Sequence, residues 1–242
     1  IKFIDARQAL SIQIHPDDEY ALEVENEFGK NEMWYVVDCE PGAYLYCGLS
    51  KDTSKEEIEQ RIKNNTITDI LNKIEVKPGD CVFVKAGTIH AIGAGILICE
   101  IQQNSNCTYR MYDYDRKDKF GNKRELHIKK ALDVVNVKKY IPFRKKESEQ
   151  DIGDINKVKS DTLVSCKYFE CFKYNVSGEC NIKGDSASFI SIIIISGSGE
   201  IKVDSLKNSE AEMFKAGDSF FVCAGQKNIK IVGTAEFIVT KL

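Results

Sequence analysis

Gln13 and His15 stand two apart in the alternating run "SIQIHPDD", Glu32 heads the apolar run "EMWYVVDC", and His90 follows the turn "KAGTIH". Residues two apart on a strand share a face, so Gln13 and His15 can point into one interior while Ile12 and Ile14 point away, and Pro16 stops the strand directly afterwards. Three strand ends could thus bring one amide oxygen, two imidazole nitrogens and one carboxylate to one point. That set suits a divalent cation, Zn²⁺ first and Fe²⁺, Mn²⁺ or Co²⁺ next, with room for water or substrate if the coordination expands. Each piece alone has a plainer reading: a structural histidine, a solvated glutamine, and a Lys30–Glu32 surface pair of little energetic value. The chain has only 3 histidines, however, and two of them fall at strand ends.

The surrounding runs "IKFID", "LSIQIH", "AYLYCGL", "DCVFVKA", "GILICEIQQ" and "CTYRMYDY" are short and β-rich, broken by Pro-Gly at 41–42 and 78–79 and by Gly93 and Gly95. Their spacing predicts a sandwich or barrel. A helical insertion is predicted at 53–73: Thr53 and Glu56 form a capping-box pattern, Ile58 and Ile62 lie four apart, and Thr66 can cap a second short helix carrying Ile70 and Leu71. Leu126, Leu132 and Val135 suggest a third helix over 124–135. The helices at 53–73 could cover the barrel mouth or simply pack.

From 141 to 162 the chain turns charged and poor in large apolar groups, as a solvated connection does. Beyond it, "KAGDSFFVCAG" at 215–225 repeats "KPGDCVFVKAG" at 77–87 at seven of eleven positions. Each copy is a Gly-Asp turn, an apolar strand and an Ala-Gly turn, which predicts two related β-barrel halves. His90 falls at Asn228 in the second copy, and nothing there resembles Gln13, His15 or Glu32. Only the first half can bind metal through this set.

The bulk composition narrows the function classes. With 43% hydrophobic and 29% charged residues over 242 positions the chain is an ordinary globular one. A net charge of −3 and pI near 5.8 leave no basic excess for nucleic acid. The longest apolar run, "FISIIIIS" at 189–196, is strand-sized and too short to cross a bilayer. Nine cysteines without a C-x-x-C pair read as buried free thiols in a reducing cytosol, so a cytoplasmic location is expected. Ile1 opens in mid-strand without an initiator Met, which predicts strands of the first barrel upstream of this chain.

Taken in order, "SIQIHPDD", "GKNEMWYVV", "KPGDCVFVKAGTIHAIG" and "EIQQNSNCTYRMYDYDR" resemble the signatures of type I mannose-6-phosphate isomerases in their compact bacterial form. The resemblance spans residues 1 to about 136; the remainder is similar, more weakly, to the family's degenerate C-terminal cupin. It implies a mainly β fold of two cupin-type jelly-roll halves: a metal-binding catalytic domain at 1–140, a charged linker at 141–162 and a second domain without metal at 163–242. It implies one Zn²⁺ per chain on Gln13, His15, Glu32 and His90, a phosphorylated hexose as substrate, and interconversion of mannose 6-phosphate and fructose 6-phosphate. That reaction moves a proton between C1 and C2 of an open-chain sugar through an enediol, so it needs a polarised oxygen and a base. Arg110 matches the family's active-site arginine and could steady the enediolate or position the substrate. Lys30, two before a ligand, is placed for a substrate oxygen or phosphate, and Ser11 for the phosphate. Family members commonly carry Ser-Asp where this chain has Ser105-Asn106. An amide is no base, so Glu100 or a metal-bound water would carry the proton unless that Asp only orients Arg110. His127 reads as a plain helix residue, and one of Trp34 and Tyr35, on alternate faces, could line the sugar site.

Two other readings fit some of these residues. His15, Asp17 and His90 match a 2-His-1-carboxylate iron oxygenase, with Asp17 then a ligand instead of a turn residue. A non-catalytic sugar-binding cupin is the other. Neither the oligomeric state nor the direction of the reaction is written in the residues.

Overall fold

A computed structural model describes residues 1–142, 157–204 and 210–242, Lys157 by its backbone alone. The chain divides into two compact units, Ile1–Phe143 and Arg144–Leu242.

The first unit runs β1 (Lys2–Ala6), β2 (Ile12–Ile14), α1 (Asp18–Glu25), β3 (Glu32–Cys39), β4 (Tyr44–Leu49), α2 (Lys55–Lys63), a 3-10 turn (Ile67–Ile70), β5 (Leu71–Glu75), β6 (Cys81–Val84), β7 (His90–Ile92), β8 (Ile96–Gln102), β9 (Tyr109–Tyr112) and α3 (Ile128–Val134). These strands form two antiparallel sheets, ordered β1–β8–β3–β6 and β5–β4–β7–β2–β9. Trp34, Val36, Val82 and Val84 of the first meet Leu45, Cys47 and Ile92 of the second in one buried cluster, so the sheets face each other. The second cluster joins Ile12, Ile14 and Met111 to Ile58, Ile62, Ile67, Ile70 and Ala131, which puts both helices on the other face of the five-stranded sheet. Each such isoleucine contributes about 1.5–3 kcal/mol through burial.

The helices differ from expectation in detail. Ser54, not Thr53, caps α2: its hydroxyl accepts from the Glu57 N–H at 3.2 Å, while Thr53 Oγ1 donates to Glu57 Oε2 at 2.6 Å. Thr66 supplies no side-chain cap, and Leu71 already belongs to β5, so the helical stretch ends at Ile70. The apolar sides of these helices are buried against a sheet face. The third helix begins only at Ile128, since residues before it are held beside β9: Arg124 pairs with Asp113 and His127 with Arg110.

The second unit comprises β10 (Lys157–Ser165), β11 (Glu170–Lys183), β12 (Ile190–Val203), β13 (Glu212–Lys215), β14 (Ser219–Val222) and β15 (Asn228–Lys241). They form one antiparallel sheet, β10–β11–β15–β12–β13, with β14 also on β12. Of the charged connection expected at 141–162, residues 143–156 lie outside the described residues; from Lys157 the chain is already strand. Pairing with β11 explains this, because an edge strand can keep Lys159 in solvent while Leu163 and Val164 are buried.

The repeat holds in three dimensions. Asp80 Oδ2 accepts from the Lys77 N–H at 2.9 Å, and Asp218 Oδ2 from the Lys215 N–H at 2.8 Å. Gly79 and Gly217 both take positive φ, +91° and +89°, a conformation that a side chain would strain. The mainly β, jelly-roll character expected from the sequence is present, although in neither unit do the described sheets close into a continuous barrel. All cysteines are free; Cys47, Cys99, Cys107, Cys171 and Cys180 are buried, whereas Cys223 is exposed and Cys39, Cys81 and Cys166 are half-buried, against the expectation of burial throughout. Among the described residues no helix is long and apolar enough to cross a membrane.

Candidate metal centre

β9, β2, β7 and β4 lie side by side, and Arg110, Gln13, His90 and Cys47 form one cross-strand row. Glu32 opens β3 in the other sheet, paired with Val84 and Gln102. His15 is the first residue beyond β2, while Glu32 and His90 each begin a strand. His15 Nε2 lies 3.2 Å from Glu32 Oε1, and His90 Nε2 lies 3.8 Å from Glu32 Oε2. Donor atoms of all three buried residues fall within 4.8 Å of one another.

The hydrogen bonds around this trio favour a cation. His15 Nδ1 is 2.8 Å from the Cys107 carbonyl and His90 Nδ1 is 2.9 Å from the Thr88 carbonyl. A carbonyl only accepts, so each Nδ1 carries the proton and each Nε2 keeps its lone pair. His15 Nε2 and the Glu32 carboxylate thus face each other as acceptors. His15 Nε2 and both Glu32 oxygens are buried without a hydrogen-bond partner. Lys30 Nζ approaches Glu32 Oε1 to 2.9 Å, yet not in a hydrogen-bonding direction, so the contact is an ion pair only. Unsatisfied buried acceptors cost about 1–3 kcal/mol each, a cost that a bound divalent ion removes. Tetrahedral ligands about 2.0–2.1 Å from one ion are about 3.3 Å from each other, close to the observed spacing. Gln13 Nε2 stands 3.4 Å from His90 Nε2, and a half-turn of the amide exchanges its nitrogen for its oxygen.

Electrostatics agree. Burial works against charge on Glu32, but positive charge on the His15 or His90 ring, when a proton and not a metal occupies the cluster, and on the Lys30 ammonium outweighs it and holds the carboxyl below the usual range. Burial, with His15 alongside, pushes His90 down to about 3, so its ring is neutral and able to ligate at physiological pH. The surface-pair reading of Lys30 and Glu32 fails, since they are only 6% and 1% exposed. Asp17 is exposed and caps α1, its Oδ1 accepting from the Tyr20 N–H at 3.0 Å, so the oxygenase triad does not assemble.

A supporting layer escaped the sequence reading. Asn31 Oδ1 accepts from the Ala86 N–H at 3.0 Å, and its Nδ2 donates to Gln103 Oε1 at 2.7 Å; Gln103 Nε2 donates to Asp18 Oδ1 at 3.1 Å. Buried Ser105 donates to the Phe28 carbonyl at 2.7 Å and accepts from the Cys107 N–H at 3.1 Å, steadying the residue whose carbonyl orients His15. The signal was the run of amides and hydroxyls in "EIQQNSN" and "GKNE", which have no period of their own.

The remaining candidates divide. Ser11 is buried just before β2 and Lys30 is buried beside Glu32. Arg110 is half-buried; Nη1 donates to the Glu125 carbonyl at 2.9 Å, while Nε is buried without a partner. Glu100 is buried opposite Trp34, accepting from Trp34 Nε1 at 3.1 Å, with Lys2 Nζ 3.3 Å away. The Trp34 and His90 ring centroids lie 5.4 Å apart in an edge-on arrangement, so of the two aromatic candidates Trp34 is the one beside the centre. Asn106 is exposed and lines an open cavity of about 340 Å³ with Glu25, Tyr109, His127 and Lys130, a cavity that includes none of His15, Glu32 and His90.

Known proteins with this architecture carry a consistent name. Residues 159–242 match the family model described as mannose-6-phosphate isomerase, cupin domain. The chain is 42% identical over its full length to mannose-6-phosphate isomerase ManA of Bacillus subtilis, covering 74% of it. It is 37% identical to the mannose-6-phosphate isomerase of Streptococcus mutans serotype c, with 99% of this chain and 72% of that protein covered. The crystal structure of the Bacillus subtilis mannose 6-phosphate isomerase superposes with a TM-score of 0.89 at 35% identity, over 99% of this chain and 74% of that one. The chain belongs to the mannose-6-phosphate isomerase family.

Proposed function

We propose that the protein is a zinc-dependent aldose–ketose isomerase of the cytoplasm that interconverts mannose 6-phosphate and fructose 6-phosphate through an enediol. The observation that carries this reading is the buried, mutually facing acceptor set of His15 Nε2, His90 Nε2 and the Glu32 carboxylate. With the Gln13 amide oxygen turned inward, these four residues would hold one Zn²⁺, which when bound polarises the sugar's C1 and C2 oxygens.

The chain's own groups account for the rest. Lys30 Nζ, beside Glu32, offers protons to a substrate oxygen. Arg110, whose guanidinium keeps a free buried N–H, offsets negative charge developing on the enediolate. Ser11, buried immediately before the strand that carries Gln13, donates its hydroxyl hydrogen bond to the phosphate. Glu100 takes the proton from C2 and returns it to C1, so the carboxylate is regenerated each cycle. Trp34 holds that carboxylate by its indole N–H and lies against His90, linking base and metal ligand.

A coupled assay for fructose 6-phosphate formed from mannose 6-phosphate tests the reading, with metal content measured on the same sample. Zinc-dependent turnover is expected. Zinc-loaded protein without turnover would leave a sugar-binding cupin in its place.

A further inference from the structure

We infer that His127 is the positioning residue of Arg110, holding that strand residue at the outer edge of the five-stranded sheet through its imidazole Nδ1. β9 is the last strand of its sheet, so Arg110 has no neighbouring strand on the side away from β2. Both of its backbone polar groups are taken by one residue instead. The Arg110 N–H donates to His127 Nδ1 at 3.2 Å, and the Arg110 carbonyl accepts from the His127 N–H at 2.8 Å. Two residues earlier, the Glu125 carbonyl accepts from Arg110 Nη1 at 2.9 Å. Backbone and guanidinium are thereby tied to the same short segment.

His127 occupies the N-cap of α3, where a side chain ordinarily accepts from the first helical N–H groups. Its imidazole makes no such bond and turns to the strand. Only its carbonyl serves the helix, accepting from the Ala131 N–H at 2.9 Å. The helix is a firm anchor, because Ala131 is fully buried, Lys130 Nζ meets Glu25 Oε1 at 2.7 Å and Asp133 accepts from the Tyr20 hydroxyl at 2.9 Å. Arg110 shares its cross-strand row with Gln13 and His90, so a shift of β9 moves the guanidinium relative to the metal centre. A misplacement of about 1 Å at a reacting group costs on the order of 100-fold in rate.

This inference rests on the isomerase reading, and the test separates the two. The zinc-loaded full chain is assayed with mannose 6-phosphate as wild type, His127→Ala, His127→Asn and His127→Gln, and deuterium exchange is followed at the Arg110 amide. Asn presents Oδ1 where Nδ1 stands; Gln carries its oxygen one bond too far. His127→Ala and His127→Gln are expected to lower kcat roughly 10- to 100-fold, with KM and zinc content little changed and faster exchange at Arg110. His127→Asn is expected to restore kcat to within about threefold and to restore protection, because it replaces the acceptor. If His127→Ala is poorly folded, the Asn and Gln pair carries the comparison. Wild-type kcat in His127→Gln, equal losses in the Asn and Gln variants, or unchanged Arg110 exchange would overturn the inference while leaving an active wild type. An inactive wild type would remove the isomerase reading and this inference with it.

Discussion

The Cys107 carbonyl that fixes the His15 tautomer cannot be deleted by mutation, but the hydroxyl beneath it can. Ser105→Ala removes a donor to the Phe28 carbonyl at 2.7 Å and an acceptor for the Cys107 N–H at 3.1 Å, both at a site only 4% exposed. Two hydrogen bonds contribute about 1 kcal/mol each, and leaving the Cys107 N–H buried and unpaired adds to the loss, so the total is about 2–3 kcal/mol. For a cooperative unit the size of Ile1–Phe143 that is a fall in Tm of roughly 6–9 °C. A loosened Cys107 carbonyl also frees the His15 ring, and loss of such an outer partner weakens metal affinity on the order of 10-fold. Scanning calorimetry on the metal-free chain measures the first effect, and zinc competition against a chromophoric chelator measures the second. A Tm within 1 °C of wild type together with unchanged zinc affinity would refute the claim that this hydroxyl supports the ligand.

Glu32→Ala should abolish zinc binding, whereas Asp17→Ala should keep it and cost only about 1 kcal/mol through the lost helix cap; elemental analysis and thermal melts distinguish them. Arg110→Ala should reduce turnover below detection in the coupled assay while zinc remains stoichiometric. Although burial opposes charge on Asp113, its hydrogen bonds with Arg124 and Arg116 outweigh that and hold its carboxyl below the ordinary range. Its stabilising effect is therefore full above the unfolded value near about 4 and lost as pH falls through the lower folded value. Asp113→Asn should flatten stability against pH in that acid window, measured by urea melts; a slope equal to wild type would contradict it.

How much of this was legible beforehand depended on the range of the interactions. Alternation revealed β2 and the shared face of Gln13 and His15, because period two is local. The Gly-Asp turns were legible because Lys77–Asp80 and Lys215–Asp218 close on themselves within four residues. Helix starts were misjudged where a distant partner intervened: the Thr53 N–H bonds the Val137 carbonyl, and His127 serves Arg110. His127 looked like an unremarkable helix residue for the same reason. Strand ends and motif order pointed to His15, Glu32 and His90, which the structure brings together, but the Asn31–Gln103–Asp18 chain and Ser105 join loops far apart in sequence and leave no periodic trace.

β2 has only three residues, two of them isoleucines wholly buried against α2 and α3. A slip of one position would turn both toward the face that carries Gln13 and turn Gln13 toward the helices, forfeiting about 3–6 kcal/mol of apolar burial. Oil on one side of a very short ribbon therefore proofreads the address of a polar group on the other.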